Sequence, residues 1–251
     1  MPMMAMVIIC VFVYFICLIA ILLYNERFNK MYVRLFFTIV NTCLFIGYCI
    51  NEYYRKGSFE FLTFDQISPF MFTMLPLSYL MDKRVRHYYF CTAAFLSLGM
   101  FVAMLVSPQE AYLVAYKADA TVLYVLDTLL HLNFSLFGIY LICSGTVKLK
   151  FKHFKKAMIF IYTVITFVVL VNFIFHKNYF GMGYYGKYGI YMIRIFETYW
   201  ATLAAYILGV FLVLVLGLIF NGVLVKLNGH NLKEEVKNVK FFEYVDDNET
   251  L

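Results

Sequence analysis

The chain has 251 residues, 63% of them hydrophobic and only 14% charged, with a net charge of +6 and a mean hydropathy of +0.78. About a quarter of a soluble domain is charged, so an ordinary soluble fold is excluded. A basic face on a soluble module, which nucleic-acid binding would need, is also absent.

The apolar residues fall in runs near 3–24, 33–50, 61–81, 88–106, 121–143, 157–175 and 199–225. About 20 apolar residues in a helix match the ~30 Å hydrocarbon core of a bilayer. The fold expected is therefore all-α, a polytopic bundle of seven transmembrane helices spanning 1–226, followed by a cytoplasmic tail, 227–251. No stretch alternates apolar and polar residues over the ~10 positions of a barrel strand.

The first run has no basic residues before it, is longer than a leader's apolar region and ends in no A-x-A-like site. It reads as a retained first helix. Helix 2 lies between Arg27, Lys30 and Arg34 before it and Arg55 and Lys56 after it. Helix 3 opens with Asp65, Gln66 and Ser68, and helix 4 enters through Lys83, Arg84 and Arg86. Helix 5 carries Asp127, His131, Asn133 and Ser135 inside the run "TVLYVLDTLLHLNFSLFGIYLICSG". Asp127, His131 and Ser135 are four residues apart, hence on one helix face. Five lysines, from Lys148 to Lys156, precede helix 6, which reaches Asn172 near its end. The following "NYFGMGYYGKYGIY" reads as an interfacial aromatic belt, with four glycines that leave room for a mobile cap. Helix 7 enters through Arg194, Glu197, Thr198, Tyr199 and Thr202. The tail has Leu232, Val236 and Val239 at helical spacing before it turns acidic, and reads as solvated.

Fifteen of the 21 Lys and Arg residues lie in the loops after helices 1, 3 and 5 and in the tail. By the positive-inside rule the N-terminus is outside and the C-terminus cytoplasmic. Helices 3, 5, 6 and 7 then carry their hydrogen-bonding side chains in the outer half of the bilayer. Such groups cost energy in lipid and should face the bundle interior or a wet cavity. Asn172 and Thr202 read first as glue between helices. The Asp127–His131 pair reads as glue or as a functional cavity, because a carboxylate that orients an imidazole makes a general base.

The six cysteines lie in or at the ends of apolar helices with no CxxC pair, and read as small packing residues. The five histidines are scattered and no zinc spacing occurs, so no metal is expected. No glycine-rich phosphate loop and no mid-membrane lysine on helix 7 is present, so no cofactor is expected either.

Three segments carry a resemblance: "ISPFMFTMLPLSYLM" (67–81), "HLNFSLFGIYLICSG" (131–145) and "VLVNFIFHKNYFGM" (169–182). Over roughly residues 30–220 the chain resembles the YwaF-type bacterial membrane proteins, which are related to the transmembrane protein 164 acyltransferases. The resemblance implies a multi-pass protein of the bacterial cytoplasmic membrane that works on membrane lipids. It maps the fifth-helix histidine to His131 and the asparagine–aromatic element to Asn178 and Tyr179. The acyltransferases carry a cysteine nucleophile in helix 3, where this chain has Phe70. A phenyl ring cannot carry an acyl group, so either Ser68 or Thr73 replaces it or the fold persists without that chemistry.

Three functions follow. The first is a lipid-handling, acyltransferase-like protein, with His131 as base, Asp127 as its orienter and Ser68 as nucleophile. Asn172, Asn178, Arg194, Glu197 and Tyr199 would line the substrate, with Arg194 on a phosphate. The second is a transporter or small-molecule binder using the same residues. The third is a non-catalytic partner subunit, whose protein partner the sequence does not name.

Overall fold

A chain in lipid has no water to satisfy its amides, so each apolar run must close its hydrogen bonds within a helix. The computed structural model describes residues 3–24, 29–57, 67–106, 121–177, 179–182 and 198–227. All seven expected runs are represented by helices: α1 (Met3–Tyr24), α2 (Lys30–Lys56), α3 (Ile67–Leu77), α4 (Lys83–Val106), α5 (Thr121–Cys143), α6 (Phe151–Phe175) and α7 (Tyr199–Leu227). Short 3-10 turns at Ser78–Leu80 and Tyr179–Gly181 complete the described elements, and no strand occurs among these residues. Four helices, α2, α5, α6 and α7, are long and apolar enough to cross a membrane.

The helix ends follow local chemistry. Asn29 caps α2 by accepting the Met31 amide at 2.9 Å, and Asp82 accepts the Arg84 amide at 2.8 Å at the start of α4. Gly57, at φ 68°, ends α2 in the left-handed conformation that a Cβ would strain.

The centre of the bundle is the pair α4 and α5. Helices α1, α2 and α3 pack on α5, while α6 and α7 pack on α4. Two thirds of the α5 span is buried (67%), against 17% for α2, 22% for α6 and 11% for α7. The outward faces are strongly apolar: Phe12, Leu23, Phe167, Phe173 and Trp200 are all exposed. Contiguous apolar surface of this kind suits lipid rather than water.

Small residues set the central contact. A Cβ on Gly138 of α5 would overlap Ser97 Oγ and lie 2.7 Å from the Ala93 carbonyl oxygen of α4. Ser97 Oγ donates to the Ala93 carbonyl at 2.6 Å and to the Phe134 carbonyl at 3.2 Å, joining the two helices. Pairings of Phe37 with Phe137 and of Gly47 with Leu126 set α2 antiparallel to α5. Helix α3 runs parallel to α5. Phe72 meets His131, while further along Tyr79 meets Phe90, whose ring meets Phe137.

Gly138→Ala is expected to destabilise the bundle by about 1–3 kcal/mol, the usual cost of overpacking. Adding Ser97→Gly should recover part of that loss, since the Ala93 carbonyl stays in place. Thermal melting in detergent of the single and double variants checks this; an unchanged melt for Gly138→Ala contradicts the close approach.

Candidate functional site

His131 sits half-buried on α5, one turn after Asp127. Its Nδ1 lies 2.8 Å from the Asp127 backbone carbonyl oxygen. A carbonyl can only accept, so Nδ1 carries the proton and Nε2 is the nitrogen with the lone pair when the ring is neutral. The Asp127 carboxylate is 3.5 Å from the same Nδ1, and that side chain is 45% exposed. The expected orienter therefore acts mainly through its backbone, with its carboxylate as a secondary electrostatic neighbour. The third member of the row, Ser135, is buried and pairs with Tyr14 of α1 at 2.9 Å between hydroxyl oxygens.

The α3 residue against the imidazole is Phe72, edge to face with ring centroids 5.0 Å apart. Its position follows from Pro76. A helical proline has no N–H for the carbonyl four residues earlier, which here belongs to Phe72. Asn41 of α2 supplies the missing donor, its Nδ2 lying 2.8 Å from the Phe72 carbonyl oxygen. The Tyr89 hydroxyl of α4 donates to the adjacent Met71 carbonyl at 2.8 Å. Helix α3 is thus held from two sides at the level of His131.

Ser68 is one turn before Phe72 and so on the same face of α3. Because α3 and α5 run parallel, Ser68 comes level with Asp127. No hydrogen bond joins Ser68 to Asp127 or His131 among the described residues. Thr73 turns back on its own helix, donating to the Pro69 carbonyl at 2.9 Å.

Asn172 and Tyr199 meet at a different structure, the turn after α6. Asn172 is buried; its Oδ1 accepts the Tyr179 amide at 2.8 Å and its Nδ2 donates to the Tyr179 carbonyl at 2.9 Å. Tyr199, at the start of α7, donates its hydroxyl to the Met182 carbonyl at 3.0 Å. Between these clamps, His176 and Phe180 adopt positive φ angles of 53° and 58°. Both side-chain polar atoms of Asn172 thus hold the chain in a conformation that is strained for residues with a Cβ. Phe180 packs on Phe70 with centroids 5.4 Å apart. Phe70 and Phe72 leave α3 about 200° apart at ~100° per residue. Helix α3 therefore stands between the His131 pair and the Asn172–Tyr199 clamp. Asp65, Gln66, Asn178, Arg194 and Glu197 lie outside the described residues, as do most of the 178–191 segment and the tail from 228.

Sequence reasoning missed three features. Glu52 is buried at 3% exposure near the end of α2; it falls just past the apolar run 33–50. The α2–α5 register sets it about 9 Å beyond Asp127 toward the same end of the bundle, at ~1.5 Å per residue. The carbonyl left by Pro76 was a readable signal for Asn41, because an asparagine within an apolar helix implies such a partner. Finally, His87, Cys91 and His153 converge, with one donor atom from each lying within 4.8 Å of the others. Only the spacing of four between His87 and Cys91 hinted at this.

Comparison with protein-family models, curated proteins and solved structures finds no match to this chain.

Asp127→Asn should leave the Nδ1–H tautomer of His131 in place, because the backbone carbonyl is unchanged. Nitrogen-15 chemical shifts of labelled histidine, read in the wild type and the variant, check this. A switch to the Nε2–H form would instead give the carboxylate the orienting role.

Proposed function

We propose that the chain is a seven-helix integral membrane protein of the cytoplasmic membrane that handles lipid through a polar site centred on His131. The observation that carries the reading is a half-buried imidazole whose Nδ1 is bonded to the Asp127 carbonyl at 2.8 Å, with the Asp127 carboxylate 3.5 Å from the same nitrogen. These groups sit within a bundle whose exterior is suited to lipid. An imidazole with Nδ1–H bonded to a carbonyl offers Nε2 as proton acceptor, the arrangement a general base requires.

The orientation belongs to the same proposal, with the N-terminus outside and the C-terminus cytoplasmic. Its support is the gathering of basic residues at one end of the bundle. Arg34 lies over Phe90, Arg86 over Tyr79 and Lys156 over Tyr88, at 5.9, 5.6 and 5.6 Å from the ring centroids. Glu52 and Asp127 occupy the other end. Under the positive-inside rule the basic end is cytoplasmic, and the His131 group opens toward the outer half of the bilayer.

The likeness to YwaF-type proteins and transmembrane protein 164 acyltransferases is part of this reading, with the family cysteine absent. Phe70, at the position of that cysteine, packs on Phe180, so acyl transfer through that position is ruled out by its chemistry. Ser68 is the hydroxyl on the His131-facing stripe of α3. A transporter or small-molecule binder is the second reading, favoured by two carboxylates, Glu52 and Asp127, on helices that pack against each other.

Lipid mass spectrometry of a deletion strain complemented with variants tests the proposal. His131→Asn should preserve expression and melting while lipid turnover falls about 10²- to 10⁴-fold, the usual contribution of a general base. Asp127→Asn should cost less, because the carbonyl still orients the ring. Unchanged lipids in the deletion strain reject lipid handling, and proton-linked uptake lost in Asp127→Asn selects the transporter.

For topology, a reporter fused after Leu251 is expected to behave as cytoplasmic, and a tag in the 107–118 loop should react from outside. The reverse pattern inverts the orientation.

A further inference from the structure

The basic end of the bundle holds a second set of chemically active side chains, ~28 Å along α6 from Asn172 at ~1.5 Å per residue. We propose that His87, Cys91 and His153 form a binding site for one soft metal ion, with Cu(I) preferred over Zn(II). The site uses none of the residues around His131 and stands apart from the function assigned there.

The geometry comes from two packed helices. His87 and Cys91 are one turn apart on α4, and His153 lies in the first turn of α6. Thr92 Oγ1 holds the helices in register, donating to the Ala157 carbonyl at 3.3 Å. Cys91 Sγ and His87 Nε2 are 3.6 Å apart. Metal–sulfur and metal–nitrogen bonds of ~2.3 and ~2.0 Å put two such donors about 3.5–3.8 Å apart around a tetrahedral or trigonal ion. The same bond lengths separate two coordinated imidazole rings by about 5 Å, and the centroids of His87 and His153 are 5.1 Å apart. Their planes cross at 87°, so the rings do not stack face to face. Cys91 is fully buried and the two rings half-buried, which gives an ion a shielded seat with an approach past the imidazoles.

Charge selects the ion. A thiolate with two imidazoles is a soft donor set suited to Cu(I) and Zn(II). Lys148, Lys152 and Lys156 lie close enough for their charge to act on His153. Cu(I) with the Cys91 thiolate is neutral overall, whereas Zn(II) would leave a net positive charge among these lysines. On binding, the Cys91 S–H bond breaks, its proton goes to solvent and the sulfur pair forms the metal bond.

Loading also has a structural consequence. His153 Nδ1 accepts the Lys148 backbone N–H at 2.9 Å. If Nδ1 takes the ion, that bond is displaced. If Nε2 takes it, the ring proton moves to Nδ1, which then cannot accept. Either way the Lys148 amide is released.

The test is anaerobic titration of the purified, full-length protein with Cu(I) against a chromophoric chelator, and with Zn(II) in a parallel arm. Amide hydrogen exchange is followed in the 144–150 segment. Expected are one Cu(I) per chain, weaker Zn(II) binding and faster exchange at Lys148 on loading. Cys91→Ser and His153→Gln should each weaken Cu(I) binding by more than the roughly 10- to 100-fold that loss of an outer partner costs. Cys49→Ser should bind as the wild type does. Should Cys91→Ser fail to fold, His153→Gln carries the same test, with its melting curve as the control. No stoichiometric Cu(I) uptake, tighter Zn(II) than Cu(I) binding, or unchanged affinity in a folded His153→Gln variant overturns the proposal.

Discussion

Helices α4 and α5 approach so closely that the space for a Cβ at Gly138 is already filled by Ser97 and the Ala93 carbonyl. Lipid is as apolar as leucine, so helices in a membrane gain little from hiding apolar surface against each other. Close van der Waals packing and interhelical hydrogen bonds must supply the association. Helix α4 repeats the device on its other faces. A Cβ on Gly217 of α7 would lie 2.6 Å from Phe95 Cε1, and one on Gly99 would overlap Val213. With α6 joined at Thr92 and Ala157, one helix with a small-residue surface positions three neighbours. Helix α5 then carries α1, α2 and α3, and through them the surroundings of His131.

Most polar groups inside the bundle have structural employment. Asn133 donates to the Phe37 carbonyl at 3.1 Å, and the Tyr162 hydroxyl donates to the Ile207 carbonyl at 2.9 Å. Each such bond contributes on average about 0.6 kcal/mol in a membrane protein, so no single one holds the fold. Their shared effect is register. Each ties a side chain to one backbone carbonyl of a neighbouring helix, and a shift by one residue would break several together. The Asn41 bond to Phe72 has a second consequence, because it fixes the ring that packs against His131. A structural repair for Pro76 thereby becomes part of the candidate site.

The architecture was readable from sequence because run length and apolar composition determine a membrane helix almost without tertiary information. The Asp127–His131 pairing was readable for the same reason, since a spacing of four puts two side chains on one helix face whatever surrounds them. What orients the imidazole was not readable, because every helical residue has a carbonyl and only geometry shows which one a side chain uses. Asn172 reads from sequence first as glue between helices and, by the resemblance, as a residue lining a substrate. Only the structure shows that its side-chain amide holds the Tyr179 backbone, seven residues away across an irregular turn. The cluster of His87, Cys91 and His153 depends on α4 packing against α6, and no linear spacing encodes that contact.

The arrangement of charge along the bundle is a physical outcome as well as a functional clue. An ionised side chain at the centre of a bilayer is expensive, and Glu52 and Asp127 both lie toward one end while most of the lysines and arginines gather at the other. His131 lies a full turn further from the carboxylate end than Asp127. A histidine tolerates that depth because its ring can be uncharged and still both donate and accept. The Nδ1–H bond to the Asp127 carbonyl meets the donor's requirement locally, without a second helix. The other ring nitrogen, Nε2, lies on the far edge of the ring. Phe72 packs against the imidazole from α3 and bounds the space beside it.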